Sequence, residues 1–291
     1  MNHPGLAAAP AHSKNDRSIG AILVDAGRLA PTDAERILRY QEEKGLRFGE
    51  AGLKLRLLDK ADIDYAISNQ FDYPYLQLDD DSLSSTLSAA YRPFTPFVER
   101  MRALRSQLLL RWLNGEPTQK CIAVTSAGRK EGRSFVAANL AIVFSQLGER
   151  TLLIDADLRH PCQHRLFKLG GGAGLSGILA GRSGNEVVQR VPGLRGLSVL
   201  PAGTVPPNPQ ELLSRPQFVQ LLTRAAGAFD VVIVDTSSAD TGADSELVAV
   251  RARAALLVAR KDHTSVGDAR AFTDAVAQSG TRVLGAVLNE Y

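Results

Sequence analysis

The sequence predicts an α/β fold built on a mostly parallel sheet, preceded by a small, mainly helical domain. Three observations carry that reading. Beyond Pro96, short β-rich segments that are apolar on both faces alternate with helical patterns. One of those segments runs into a glycine-containing loop and directly on into a helix. Ahead of them lies an internal repeat with the 3.6-residue period of packed helices. At 291 residues the chain holds one large domain or two smaller ones, at roughly 100–200 residues each. With 44% hydrophobic and 22% charged residues it can bury a core, which excludes wholesale disorder. Thirty-four Lys and Arg against 31 Asp and Glu leave +3, too little for an electrostatic footprint, so no nucleic-acid partner is expected. Cys121 and Cys162 make no disulfide framework, and no charged segment followed by an apolar core opens the chain, so the expected setting is cytoplasmic. The longest charge-free stretch, Ser134 to Gly148, is 15 residues, short of the ~20 that span a membrane. Any membrane role must come through a partner.

Residues 1–15 mix Ala, Pro, His and Asn without a period and read as a disordered leader. Residues 16–76 read as the helical repeat domain: Gly20 to Gln41 and Gly49 to Gln70 have the same internal spacing. In each copy an apolar segment leads to a turn and an amphipathic helix, Ala34–Gln41 and Ile63–Gln70. The acidic, Ser-rich stretch LQLDDDSLSSTLS marks 77–95 as a linker. In residues 96–291, CIAVTSA, TLLIDAD, LSVLPA, VVIVDT, AALLVA and VLGAVLN are the expected strands. Helices are expected at Ser134–Leu147, Pro209–Ala226 and Ser265–Ser279, the second capped by Asn208 with Pro209 at its first position and Glu211 completing a capping box.

The chemistry is concentrated after CIAVTSA. A phosphate needs backbone N–H groups aimed at it, close approach without Cβ atoms, and the positive end of a helix dipole; strand, GRKEGRS loop and helix N-terminus supply all three. Gly132 and Ser134 match the P-loop pattern, whereas Arg133 stands where Lys is usual and Ala127 replaces the first glycine. Arg keeps the charge but is longer and planar. Gly128, Lys130, Glu131, Gly132, Arg133, Ser134 and Phe135 are the expected nucleotide-binding residues. Asp155 and Asp157 close one strand and Asp235 another, and carboxylates at the carboxyl ends of parallel strands open into the crevice where such sheets bind ligands. The expected ligand is ATP with Mg²⁺, the metal falling to Ser134, Asp157 and Asp235.

From about Glu99 to Glu290 the chain resembles the cytoplasmic bacterial tyrosine kinases that regulate capsule and exopolysaccharide chain length, and most of all their EpsG-type members. SAGRKEGRS, LLIDADLRHP and VVIVDT stand at that family's Walker A, A′ and B motifs, and GTVPPNPQELLSRPQF resembles its NP-x-ELL segment. The resemblance implies γ-phosphoryl transfer to a tyrosine hydroxyl, with Asp155 best placed to orient or accept the proton from the nucleophile, and Asp157 and Arg133 as its catalytic companions. It also implies a homo-oligomeric ring joined through Glu99, Arg102 and Arg105. That ring would present Tyr291, the chain's lone C-terminal tyrosine, to a neighbour's Asp155 and Asp157. A membrane chain-length determinant, or polysaccharide co-polymerase, would hold the kinase peripheral to the inner membrane. Asn289 follows a strand where related P-loop ATPases place an adenine-reading Asn.

Residues 17–76 resemble the N-terminal domain of secretion and pilus ATPases, some of which bind cyclic di-GMP. Arg47-Phe48-Gly49 fits the start of such a copy, while Ser18-Ile19-Gly20 lacks the Arg and Arg56 stands where the first copy has Gly27, so a docking domain is the favoured reading. Gly172, Gly174 and Gly177 spell G-x-G-x-x-G without a strand feeding them, His160, Cys162 and His164 lack further ligands around a helix beginning at Pro161, and Trp112 reads as packing. Two rivals to the kinase stay open: a partitioning-type P-loop ATPase that switches a dimer, and a nucleotide-gated scaffold of polysaccharide assembly.

Overall fold

The computed structural model describes residues 17–71, 73–113, 116, 118–170 and 172–290; the expected leader and Tyr291 lie outside them. The chain divides into two compact units between Pro74 and Tyr75.

The first unit holds α1 (Ile19–Asp25), α2 (Pro31–Lys44), α3 (Phe48–Lys54) and α4 (Lys60–Gln70). Local chemistry sets the ends. The Ser18 hydroxyl accepts from the Ala21 N–H, Pro31 occupies the first position of α2, and Gly45 closes α2 in the left-handed region. Asp59 and Asp62 form a reciprocal cap on α4. Ile22, Leu23, Ile37, Leu58 and Ala66 make a small core of their own. The repeat is real in three dimensions even where its residues differ. Gly27 and Arg56 occupy matching positions after α1 and α3 with φ of 69° and 56°, so the same left-handed turn is made once by glycine and once by arginine.

The second unit is a seven-stranded sheet in the order β3-β4-β2-β5-β1-β6-β7. The strands are β1 (Cys121–Ser126), β2 (Thr151–Asp155), β3 (Gln189–Arg190), β4 (Leu197–Leu200), β5 (Val231–Asp235), β6 (Ala254–Arg260) and β7 (Arg282–Asn289). All neighbours run parallel except the short β3, which pairs antiparallel with β4. Helices α5 (Ser88–Tyr91), α6 (Pro96–Arg111), α7 (Arg133–Gln146), α8 (Gln163–Leu166), α9 (Leu175–Leu179), α10 (Pro209–Ser214), α11 (Pro216–Ala228), α12 (Asp244–Ala252) and α13 (Val266–Gln278) complete it. One apolar cluster joins the sheet to α5, α6 and α7; a second joins it to α9–α13. Covered on both faces, β1, β2, β4 and β5 are buried throughout, which is why they read as continuous apolar runs.

Four expectations are corrected. Residues 77–95 are no linker but a strap folded onto the sheet unit: Leu76, Leu83 and Leu87 are buried, and the Leu76 N–H donates to Ala90 O at 2.8 Å. The Tyr91 hydroxyl accepts from Leu83 N (3.0 Å) and donates to Leu83 O (2.9 Å). Asn139 and Gln146 of α7 hold the Ala89 N–H and C=O at 2.9 and 2.8 Å. The acidic and serine content masked that apolar spacing. The helix expected over Pro209–Ala226 breaks at Arg215 (ψ 149°), because Pro216 excludes the helical conformation from the residue before it. Asn208 precedes α10 but makes no side-chain cap. Likewise α8 begins at Gln163, not Pro161. Trp112 is buried, its Nε1 donating to Cys121 O at 3.1 Å, as packing requires.

Candidate functional site

The site forms where β1, β2 and β5 end side by side. Register pairs Asp155 directly with Asp235, and Val124 of β1 with Asp235, so the two strand-end acids converge beside the loop that leaves β1. That loop, 127–132, turns through Lys130 (φ 59°) and Gly132 (φ 88°) into α7, whose first N–H groups have no partner within the helix. Gly132 sits in the left-handed region that other residues rarely adopt, and a side chain there would also displace Asn289. A Cβ there would lie 2.1 Å from Asn289 Nδ2, which itself donates to Glu131 O at 3.0 Å. Asn289, at the end of β7, is thus brought to the loop. Thr264 donates to Glu131 Oε1 (2.6 Å), and Arg260 Nη1 reaches Lys130 O at 3.4 Å, so the end of β6 and the turn after it brace the loop from outside.

Arg133, the first residue of α7, folds back over the strand ends. Its Nη1 donates to Ser126 Oγ (2.8 Å), its Nη2 to Asp157 Oδ2 (3.0 Å) and its Nε to Asp235 Oδ1 (3.3 Å). A single guanidinium therefore spans two buried carboxylates and a hydroxyl. The remaining oxygens are also engaged. Asp157 Oδ1 accepts from the Arg159 and His160 N–H groups, and Asp235 Oδ2 from Gln163 Nε2 at 2.8 Å. Gln163 went unnoticed in the sequence, where no period or motif marks it; it is fully buried and also donates to Ser134 O at 3.1 Å, tying α8 to α7.

Asp155 ends β2 beside Asp235. It is fully buried, one oxygen accepting from Asp157 N and the other from Cys162 N and Gln163 N. Burial, with the Asp235 charge beside it, holds its carboxyl well above the usual range. Burial raises Asp235 too, against the pull of Arg133, and pushes the neighbouring Cys162 thiol up to about 12. Asp155 is as buried as Asp235, and its two oxygens fix the β2–α8 turn through the Asp157, Cys162 and Gln163 N–H groups.

Two cavities flank this centre. One of about 710 Å³ lies along the loop, lined by Gly128, Lys130, Glu131, Asp240, His263 and Phe272. The other, of about 490 Å³, is lined by Arg159, His160, His164, Arg165 and Gly203, and the Arg159 and His160 N–H groups donate to Asp157 Oδ1. Its histidines and Cys162 form no metal cluster; among the described residues no group of His, Cys, Asp or Glu gathers as one. Of the glycines of G-x-G-x-x-G, Gly174 serves packing, since a Cβ there would lie 2.2 Å from Pro201 O, while Gly172 makes a left-handed turn at φ 111°. Ser134, Asp157 and Asp235 are oxygen donors, the type a hard cation takes, but Arg133 already occupies one oxygen of each carboxylate.

Glu99, Arg102 and Arg105 share α6. Within one chain Glu99 pairs with Arg102, and Arg105 Nη1 donates to Val143 O of α7 at 2.8 Å. No helix among the described residues is long and apolar enough to cross a membrane.

No family model matches the chain. It is 36% identical over 191 residues to the tyrosine-protein kinase YwqD of Bacillus subtilis, covering 66% of this chain and 80% of that one. It is 37% identical over 202 residues to the tyrosine-protein kinase Etk of Escherichia coli K12, covering 69% of this chain but 27% of that one. The solved kinase domain of the E. coli tyrosine kinase ETK superposes with a TM-score of 0.68 at 34% identity, covering 76% of this chain and 85% of that structure.

Proposed function

Since the chain belongs to the bacterial tyrosine-protein kinases, we propose that its sheet unit binds ATP along the 127–134 loop and transfers the γ-phosphoryl group to tyrosine on a second copy of the chain. The observation that carries this is the convergence of Arg133 with Asp157 and Asp235 at the mouth of a phosphate-type loop. The larger cavity falls in the size range of small-ligand sites and takes the nucleotide, with Asn289 bonded to Glu131 O of its lining. The N–H groups of the α7 N-terminus hold phosphate oxygens. Ser134, Asp157 and Asp235 are the side chains that would hold Mg²⁺, which when bound neutralises triphosphate charge. Phosphoryl transfer depends mainly on positioning and charge stabilisation, so Arg133 acts there as a fork on phosphate oxygens. Asp157, held at Oδ1 by the N–H groups of Arg159 and His160 from the lining of the second cavity, orients the acceptor hydroxyl, with Asp155 behind it. Arg159, His160 and Arg165 in that cavity suit an acceptor with acidic neighbours, as Glu290 is to Tyr291.

We assign the cellular role from the family resemblance: regulation of exopolysaccharide chain length, peripheral to the inner membrane through a chain-length-determinant partner, in a ring assembled through Glu99, Arg102 and Arg105. The 17–74 unit serves as a docking or sensing arm, and cyclic di-GMP is the ligand to assay there. Incubation with γ-labelled ATP is the test. Label on tyrosine, lost in Asp157→Asn and Asp235→Asn, supports the kinase. Phosphate release without labelled protein supports the partitioning-type ATPase, and normal polymer length in cells carrying Asp157→Asn supports the scaffold.

A further inference from the structure

We propose that Arg133 is a resident counter-cation of the carboxylate centre, competing with a divalent ion for Asp157 and Asp235, so that metal enters only when nucleotide phosphates draw the guanidinium away. The inference deepens the nucleotide-binding reading above and rests on it for its second half.

The argument begins with charge. Asp157 and Asp235 are 4% and 0% exposed, and carboxylates so placed are tolerated only when paired. Arg133 is the basic side chain that pairs with them, reaching both with different nitrogens while its third contact goes to Ser126 Oγ. A lysine at this position has one ammonium and no fork, so it could not span all three acceptors in the same way. Every oxygen of the two carboxylates has a donor: Arg133 on one oxygen of each, Gln163 on the other of Asp235, and the Arg159 and His160 N–H groups on the other of Asp157. A divalent cation approaching these side chains meets a positive charge already seated and donors turned toward it. Triphosphate oxygens offer that guanidinium a stronger anionic partner within reach of the same helix N-terminus, and once it turns to them the carboxylates are released. Nucleotide and metal then promote one another's binding, and the coupling is reciprocal.

The experiment titrates Mn²⁺ into nucleotide-free full-length protein and reads bound ion by electron paramagnetic resonance. Wild type should take up no ion that depends on Asp235. Arg133→Ala should gain one such ion with at least tenfold higher affinity, lost again in Arg133→Ala/Asp235→Asn, and its melting temperature should rise with Mn²⁺ where that of wild type does not. In wild type, a non-hydrolysable ATP analogue should tighten Mn²⁺ binding at least tenfold. An ion bound by nucleotide-free protein that carries Arg133 and lost in the single variant Asp235→Asn overturns the proposal, and that comparison decides even if the alanine variant does not fold. If the analogue fails to bind at all, the nucleotide reading fails, while the Mn²⁺ comparison of wild type and Arg133→Ala still judges Arg133.

Discussion

Two arginine–aspartate contacts in the sheet unit share their chemistry and differ in surroundings. Arg150 meets Asp230 at 2.7 and 3.0 Å with a third bond from its own backbone N–H, a tighter geometry than Arg133 achieves. Yet the Arg150 side chain is 63% exposed, whereas Arg133 is 10% exposed and its partners less. Water replaces a lost partner at the surface and does not in the interior, so geometry and energetic weight run in opposite orders here. The looser contact is the one the fold and the site depend on.

The largest effect should come from breaking the buried contact. Arg133→Ala leaves Asp157 and Asp235 as buried charges without their cation, and removing one partner of such a pair costs about 3–5 kcal/mol. Urea unfolding should show that loss, together with weaker ATP binding by titration calorimetry. A loss below about 1 kcal/mol would mean that water reaches the centre, and the contrast with Arg150 would collapse.

The same contrast governs what could be seen in advance. The strands were legible because burial on both faces leaves an unbroken apolar run, and the loop because glycine and a helix start are local signals. Asp235 was legible because it ends such a strand. Gln163 was not, since its task is set by Ser134 and Asp235, 29 and 72 residues away. Asp155 was legible as a site residue, but its depth was not, because the turn that encloses it comes from Cys162 and Gln163. The strap was hidden for a related reason: Leu83 and Tyr91 find each other across eight residues with no helical or strand period between them.

A neutral buried contact should fall between the two extremes. Tyr91→Phe removes one hydroxyl and leaves Leu83 N–H and C=O without their partner, at about 1–2 kcal/mol. Hydrogen exchange should then quicken over 83–91 before the sheet is affected. Unchanged protection would show that the strap is held by its leucines alone.

Next comes the α6 face, partly exposed. Charge reversal at Arg102 and Arg105 removes the Glu99 pair, worth less than about 1 kcal/mol, and the bond to Val143 O. Stability should therefore fall modestly, while light scattering should report a lower oligomeric mass if these residues join copies. An unchanged mass with lowered stability would leave them only the intrachain contacts.

The smallest effect should come from Arg150→Ala, and it separates burial from geometry most cleanly. Asp230 is held below its ordinary value of 3.8, first by the side-chain bond from Arg150. A carboxylate lowered on folding contributes stability above its unfolded value and loses it as pH falls through the folded one. Whatever the pair contributes is thus present at neutral pH and vanishes below that lowered value. Arg150 stands in solvent and Asp230 is part-exposed, so salt screens the pair and ordering the long arginine side chain offsets the attraction. Wild type and Arg150→Ala should melt within replicate scatter of each other at neutral pH and physiological salt. Any gap that opens at low ionic strength should close again on acidification. A drop in the neutral-pH melt comparable to that of Arg133→Ala would show that bond geometry, not burial, ranks the ion pairs of this protein.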